Sequence, residues 1–383
     1  MNLIPNPPVS GSHPMMPGTN HDEAAQQLFV RDLKAWIGQD LESAVAQLAA
    51  AADPGPTAND RAGEAYRTLL GDPAFQGYAS LRRATQELLW DDVHRSVRRQ
   101  ADELDARAAK APVGGSVTLD PGFVLPDYLA DRDVHLMPGG YGVDDSGVAQ
   151  GALMDRGGAV YMLGRNGGLL NDQRGHTAIA HLFARWPDAA PRSILELGCG
   201  TGSSTVPAAM AFPDATIHGL DVGASMLRYA HARSSWLGHA IHYTQGSAER
   251  TPYPDGGFDL VYSCALLHET SPAAMDAILA ESLRLLKPGG IAIHLEVPQR
   301  YDDMPLWGRI RGAIEHDYNN EPNWRAAISL DFAAAMGAAG FDDVAIGFQD
   351  ATATPERGNT GFGSESKGVF ASWFVASGRR PAA

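Results

Sequence analysis

The sequence predicts an α/β protein: a doubly wound, mostly parallel sheet preceded by an N-terminal helical domain. Three observations carry this reading. The apolar run Ser193-Ile-Leu-Glu-Leu197 breaks into glycines at alternate positions, Gly198, Gly200 and Gly202. Further short apolar runs alternate with helical stretches toward the C-terminus, as successive strand–helix units do. Ahead of them, residues 21–111 place apolar side chains three and four apart, which is the helical period.

Taken in order, residues 1–20 are rich in Pro, Gly, Ser and Asn and read as a disordered tail with little to bury. Leu28, Phe29, Leu33, Trp36, Ile37, Leu41, Val45 and Leu48 form a helical stripe that ends at Asp53-Pro-Gly-Pro56. A shorter helix spans residues 61–70, and residues 78–109 carry Leu81, Leu88, Leu89, Val93, Val97 and Leu104 on a second stripe. No chemistry motif occurs in this region. It is expected to pack or dimerise, making the protein a homodimer through its N-terminal helices, with a substrate lid as the alternative. Residues 112–175 hold Met137-Pro-Gly-Gly-Tyr-Gly142, Asp155-Arg-Gly-Gly158 and Gly164-Arg-Asn-Gly-Gly168, and read as a surface connector or a lid.

The sheet domain follows, over residues 176–383. Its first strand, with Ile194, Leu195 and Leu197, has the near-continuous apolar character of a strand buried on both faces. The glycines turn the chain and let a ligand approach the backbone, and Ser203-Ser-Thr-Val206 starts a helix whose N–H groups face the crevice. Thr216-Ile-His-Gly-Leu-Asp221 is a second strand ending in an acid about 20 residues on, where a ribose is bound. A helix over residues 224–237, a strand over 240–244, the turn Tyr253-Pro-Asp-Gly-Gly257 and a strand over 258–263 come next. A helix over residues 273–286 ends at Lys287-Pro-Gly-Gly290, ahead of a strand over 291–297. Residues 330–341 read as a helix running into a strand over 343–348, and residues 369–377 as the last, antiparallel strand.

The order Leu195-Glu-Leu-Gly-Cys-Gly-Thr-Gly202, Asp221, Gly246-Ser-Ala-Glu249 with Phe258-Asp-Leu-Val-Tyr-Ser263, and Leu286-Lys-Pro-Gly-Gly290 resembles the class I S-adenosylmethionine-dependent methyltransferases. The likeness is to the small-molecule type, similar to the ubiquinone and menaquinone C-methyltransferase group. It covers roughly residues 176–379, about half of the chain. The resemblance implies a seven-stranded Rossmann-like sheet and S-adenosyl-L-methionine as cofactor. It implies transfer of a methyl group to an O, N, S or C atom of a small-molecule acceptor. The cofactor would be held by Glu196, Gly198, Cys199, Gly200, Gly202, Asp221, Val222, Ser247, Ala248, Glu249 and Cys264. Ser247 departs from the family's usual acid at the adenine amino group. From the connector, Tyr161 and Arg165, with Tyr141 and Asn171, are candidates for the methionine carboxylate.

The acceptor should lie outside the carboxyl ends of the strands. His268 and Glu269 follow the fourth strand, and His294 and Glu296 share one face of the fifth because strand side chains alternate. His268, Glu269 and Glu296 are the catalytic candidates. The imidazole of His268 is the first choice for a base or substrate orienter; Glu269 has helix capping as its alternative role, and His294 a place in the core. Substrate contacts are expected from Tyr141, His294, Asp317, Tyr318, Asn320, Glu321 and Trp324, with Asn319 beside them. The acids Glu269, Glu296, Asp317 and Glu321 tilt the expectation toward a cationic or hydroxylated acceptor.

A net charge of -15 over 383 residues opposes binding to nucleic acid, and 44% hydrophobic with 20% charged residues fits a large buried core. No run of about 18 apolar residues occurs, and the first 21 residues lack the pattern of a secretory signal, so neither membrane attachment nor export is expected. The two cysteines, Cys199 and Cys264, form neither a disulfide framework nor a zinc spacing. A cytoplasmic protein without metal is the expectation. Two other readings compete: a non-catalytic S-adenosylmethionine-binding or scaffold protein, and an NAD(P)-dependent oxidoreductase. The second lacks the third glycine of the G-x-G-x-x-G fingerprint, where Ser203 stands.

Overall fold

The computed structural model describes residues 11–112, 114–297, 304–355, 357, 361–368 and 370–382. Residues 1–10 of the expected tail and Val369, at the start of the last expected strand, lie outside the described residues. Nine strands form one sheet: β1 (Ser116–Thr118), β2 (Ser193–Leu197), β3 (Thr216–Asp221), β4 (Ile241–Gln245), β5 (Phe258–Cys264), β6 (Leu286–Glu296), β7 (Asp342–Asp350), β8 (Phe362–Gly363) and β9 (Ser372–Arg379). Their spatial order is β1-β4-β3-β2-β5-β6-β9-β7-β8. The seven expected strands are all present, with β9 antiparallel between β6 and β7. Two short strands extend the expected seven at the edges: β1, from the connector, pairs with β4, and β8 pairs with β7. Each satisfies part of an edge that would otherwise expose backbone N–H and C=O groups.

Strand β2 lies at the centre because it is apolar on both faces. Ile194 joins the core on one side of the sheet and Leu195 and Leu197 the core on the other. The segment Lys287–Gly290, read as a helix stop, is drawn into β6 directly after the helix Pro272–Leu285. The pairing steps from Phe258↔Leu286 to Leu260↔Ile291, so the extra residues loop out as a bulge.

The N-terminal helices are not set apart from the sheet. In the helix Pro73–Arg99, Leu89, Trp90, Val93 and Val97 share one core with Ala152, Leu153 and Val160 of the helix Ala149–Tyr161. Met226 and Tyr229 of the helix Ala224–Trp236 belong to the same core. A second core joins Ile37, Val45, Leu69 and Phe75 to Ile310 and Ile314. Leu28, Phe29, Trp36, Leu81 and Leu88, placed on the apolar stripes by their spacing, are exposed instead. The helix His21–Trp36 seats part of its buried face through polar contacts, Gln27 donating to Ser96 (3.0 Å) and Arg99 to Glu23 (2.7 Å). Among the described residues no helix is long and apolar enough to cross a membrane.

The tail and the connector also differ from expectation. Residues 11–20 pack against the body rather than dangling, because Met15 is buried in the core and His13 meets the buried Asp155 at 2.9 Å. Asp155 accepts from Tyr229 (2.9 Å) and Asn171 (2.9 Å) as well, so one carboxylate ties three segments together. The glycines of the connector serve close helix packing. A Cβ on Gly151 would lie 2.3 Å from Tyr229, and one on Gly157 would lie 2.1 Å from the Trp90 ring. Gly157→Ala, which in an exposed helix would stabilise by about 0.5–1 kcal/mol, is therefore expected to lower the melting temperature. A rise in thermal denaturation of that variant would mean that the Trp90 contact is slack.

Candidate functional site

Two adjoining cavities open at the carboxyl ends of the strands. The smaller, about 150 Å³, is lined by Gly198, Cys199, Gly200, Asp221, Val222, Ser247, Ala248 and Cys264, with Tyr141 and Tyr128 from the connector. Gly200 has φ +50, and a Cβ there would meet no protein atom within 4 Å, so the loop leaves room at this point for a ligand to touch the backbone. Asp221 is fixed by the amides of Gly200 (2.8 Å) and Gly223 (2.9 Å). Burial raises its pKa, and the same amides counter the rise. Both carboxylate oxygens keep a free lone pair for hydroxyl donors. The opening beside Gly200 and the fixed acid at the end of β3 fit a nucleoside ligand, with Ser247 and Ala248 on the far wall.

Three residues expected at the cofactor have other work. Glu196 is outside the lining and accepts from Thr205 and from Tyr262 (3.3 Å), and burial pushes its pKa up to about 8. Glu249 is outside the lining and accepts from Tyr128 (2.8 Å). Gly202 is needed for packing, because a Cβ there would stand 2.5 Å from the Tyr243 hydroxyl. Asn171 is committed to Asp155. Tyr161 and Arg165 line the larger cavity rather than the smaller one. Arg174, which the sequence reading missed, lines both; its Nε is buried without a hydrogen-bond partner among the described residues.

The wall shared by the cavities is a buried ionic cluster. Glu296, at the end of β6, accepts the amides of Leu266 (2.8 Å) and Leu267 (2.6 Å) on one oxygen and meets His268 Nδ1 (2.8 Å) with the other. Nε2 of His268 points to Glu269 Oε1 at 3.4 Å. The same oxygen meets His135 Nε2 (2.8 Å) and accepts from the Tyr141 hydroxyl (2.9 Å). Nδ1 of His135 in turn faces Glu321 at 2.9 Å. Burial alone would lower the pKa of His268, but Glu269 and Glu296 lift it to about 10. Burial is likewise outweighed at His135, which is raised, and at Glu269, which the two histidines hold well below the usual carboxylate range. His135 was not foreseen. It sits in a left-handed conformation (φ +57), its carbonyl held by the Trp90 indole (2.7 Å) and the Gln86 amide (2.9 Å).

The larger cavity, about 590 Å³, has the N-terminal helices as one wall, through Lys34, Glu42, Arg82 and Gln86. The turn Ile37–Leu41 on that wall is π-helical, a form often found at functional sites. Tyr318, Glu321 and Trp324 line this cavity, and the Trp324 ring stands edge-on to His268 at 5.3 Å. His294, Asp317 and Asn320 do not reach it. His294 is a core residue bonded to Ser263 (2.9 Å), its pKa lowered to about 4 by burial. Asp317 is exposed and accepts from Tyr66 (2.6 Å), and Asn320 donates to the Asp133 carbonyl (2.8 Å). The expected surplus of acids is reversed. Lys34, Arg82, Arg165, Arg174 and Arg311 line the cavity with four glutamates, Glu42, Glu296, Glu315 and Glu321. Burial, with Arg82 nearby, brings Lys34 down to about 7, and Arg165 has no ion-pair partner among the described residues.

Comparison with known proteins bears on the smaller cavity. Residues 194–290 match the family described as a methyltransferase domain. The chain carries a class I S-adenosylmethionine-dependent methyltransferase domain. A stretch of 129 residues is 33% identical to the fatty-acid O-methyltransferase of Mycolicibacterium smegmatis, over 34% of this chain and 45% of that protein. Another of 120 residues is 39% identical to the trans-aconitate 2-methyltransferase of Methylobacterium radiotolerans, over 31% and 43%. A third, of 177 residues, is 29% identical to the demethylmenaquinone methyltransferase of Geobacillus stearothermophilus, over 40% and 73%. The chain spans between 43% and 73% of the length of these three relatives.

In the methyltransferase domain, Gly200→Val is expected to abolish binding of S-adenosylmethionine and of its demethylated product, because a branched side chain would fill the space beside the backbone. Asp221→Ala is expected to weaken binding by about 10- to 100-fold, the loss of charge-assisted bonds worth about 1.5–3 kcal/mol. Calorimetric titration measures both, and tight binding by Gly200→Val would remove the cavity from the reading.

Proposed function

We propose that the chain is a methyltransferase acting on an anionic small molecule, with an acidic oxygen as the methyl acceptor. The observation that carries this is the charge of the larger cavity: five Lys and Arg side chains against four carboxylates, in a chain whose net charge is -15. The carboxylates are already engaged. Glu315 meets Arg82 (2.5 Å) and Arg311 (3.5 Å), Glu42 meets Arg311 (3.3 Å), and Glu296 and Glu321 face the two histidines. Lys34 and Arg165 remain to meet an anion. The names of two relatives, the fatty-acid and trans-aconitate methyltransferases, support a carboxylate acceptor.

S-adenosylmethionine supplies an activated methyl group on a sulfonium. The residues that would hold it are the Gly198–Gly200 loop, Asp221, Val222, Ser247 and Ala248, with Arg174 at the shared wall for its carboxylate. The chain's own contribution is alignment and exclusion of water between two buried cavities, which can be worth roughly 7–11 kcal/mol. A carboxylate is already ionised near neutral pH and needs no base. His268, held through Nδ1 by Glu296, then serves to orient the acceptor rather than to accept a proton. Glu296 and Glu269 position it.

A screen of acceptors with labelled S-adenosylmethionine tests the proposal, carboxylic acids being methylated and amines not; methylation of amines alone would sink it. Lys34→Met is expected to raise KM for the acid about tenfold, on the scale of one lost charged contact, with little change in kcat. In the native chain KM should rise as pH passes above about 7, where Lys34 loses its proton, and this rise should be missing from the variant. The apolar side chains left exposed on the N-terminal helices, Leu28, Phe29, Trp36, Leu81 and Leu88, support pairing of two copies there. Light scattering of the native chain against Phe29→Glu should show a halved mass for the variant, and a monomeric native chain would remove the pairing.

A further inference from the structure

The cluster between the cavities has the form of a metal site. His135 Nε2 and His268 Nε2 converge on Glu269 Oε1 at 2.8 and 3.4 Å, and the three donor atoms lie within 4.8 Å of one another. Neighbouring ligands on one ion with bonds of about 2.1 Å stand about 3.0–3.4 Å apart, so Glu269 already stands close to ligand spacing from each imidazole. The far side of each imidazole is also prepared. Nδ1 of His268 meets Glu296 (2.8 Å) and Nδ1 of His135 meets Glu321 (2.9 Å), both carboxylates buried. A carboxylate behind each imidazole fixes its orientation and leaves Nε2 as the donor, the usual outer partner of a metal-bound histidine. Tyr141 donates to Glu269 as a third outer partner.

We propose that His135, His268 and Glu269 bind a divalent first-row transition cation at the wall between the two cavities. Two imidazoles and one carboxylate, with no thiolate among them, suit Fe2+, Mn2+, Co2+ or Zn2+ and disfavour Ca2+ and Mg2+, which take mainly oxygen ligands. His135 and His268 line both cavities, so an ion held by them has an acceptor oxygen within reach on one side. Its positive charge agrees with the anion preference of the larger cavity. The site was not legible as a motif, because its two histidines are 133 positions apart and are joined only by the fold.

The test uses the full chain without an affinity tag, freed of metal and titrated with Co2+ and Zn2+ by visible absorption and calorimetry. One equivalent should bind, with Co2+ ligand-field bands. His135→Ala and His268→Ala should each lose at least about 100-fold in affinity, and Glu321→Gln about 10- to 100-fold, as outer partners do. The exposed His316→Ala should change nothing. S-adenosylmethionine binding by each variant shows that it has folded; if the alanine variants do not, Glu321→Gln and Glu296→Gln decide. Absence of stoichiometric binding by the native chain, or binding unchanged across these variants, overturns the proposal.

Discussion

Glu296 is the constraint on which the site depends. It ends the central half of the sheet with a carboxylate that is fully buried, and such a charge is tolerated only when its oxygens are fully engaged. The amides of Leu266 and Leu267 and the ring of His268 meet that need. The turn after β5 is thereby fixed to the end of β6, and with it the direction of His268 and the start of the helix that follows. The shared wall of the cavities is therefore set by the parallel pairing of two neighbouring strands.

The sheet was legible because its signals are local. Strand β2, the glycines, Asp221 and the later strands each announce themselves within a few residues, and most boundaries agree with the structure to within two positions. The bulged start of β6 was not, since Lys287-Pro-Gly-Gly290 carries the composition of a turn while Gly289 and Gly290 exchange backbone hydrogen bonds with Arg380, just past the end of β9. The cofactor loop was legible for the same reason as the strands, whereas Glu196 was misplaced because alternation alone does not say which face of β2 looks into a cavity.

The acceptor half was poorly legible, and the reason is distance along the chain. His135 lies far from every strand signal, and its position depends on Trp90 and Gln86 in the N-terminal helices. Charges counted along the sequence gave an acidic site, but Glu269, Glu296 and Glu321 meet histidines, and Asp317 turns outward to Tyr66. Glycine-rich segments read as loose connection are, at Gly151 and Gly157, the places where helices come closest. Composition marks them as glycine-rich, and only packing shows what they are for.

The two cavities are encoded by different stretches of the gene product. The cofactor side comes mainly from the strand ends that resemble other proteins, and the larger cavity draws a wall from helices that begin some 150 residues earlier. On the proposed function, sequence change in those helices would alter which acceptors are admitted without touching the glycine loop or Asp221. The fold thus separates the inheritance of a common reagent from the choice of what receives it.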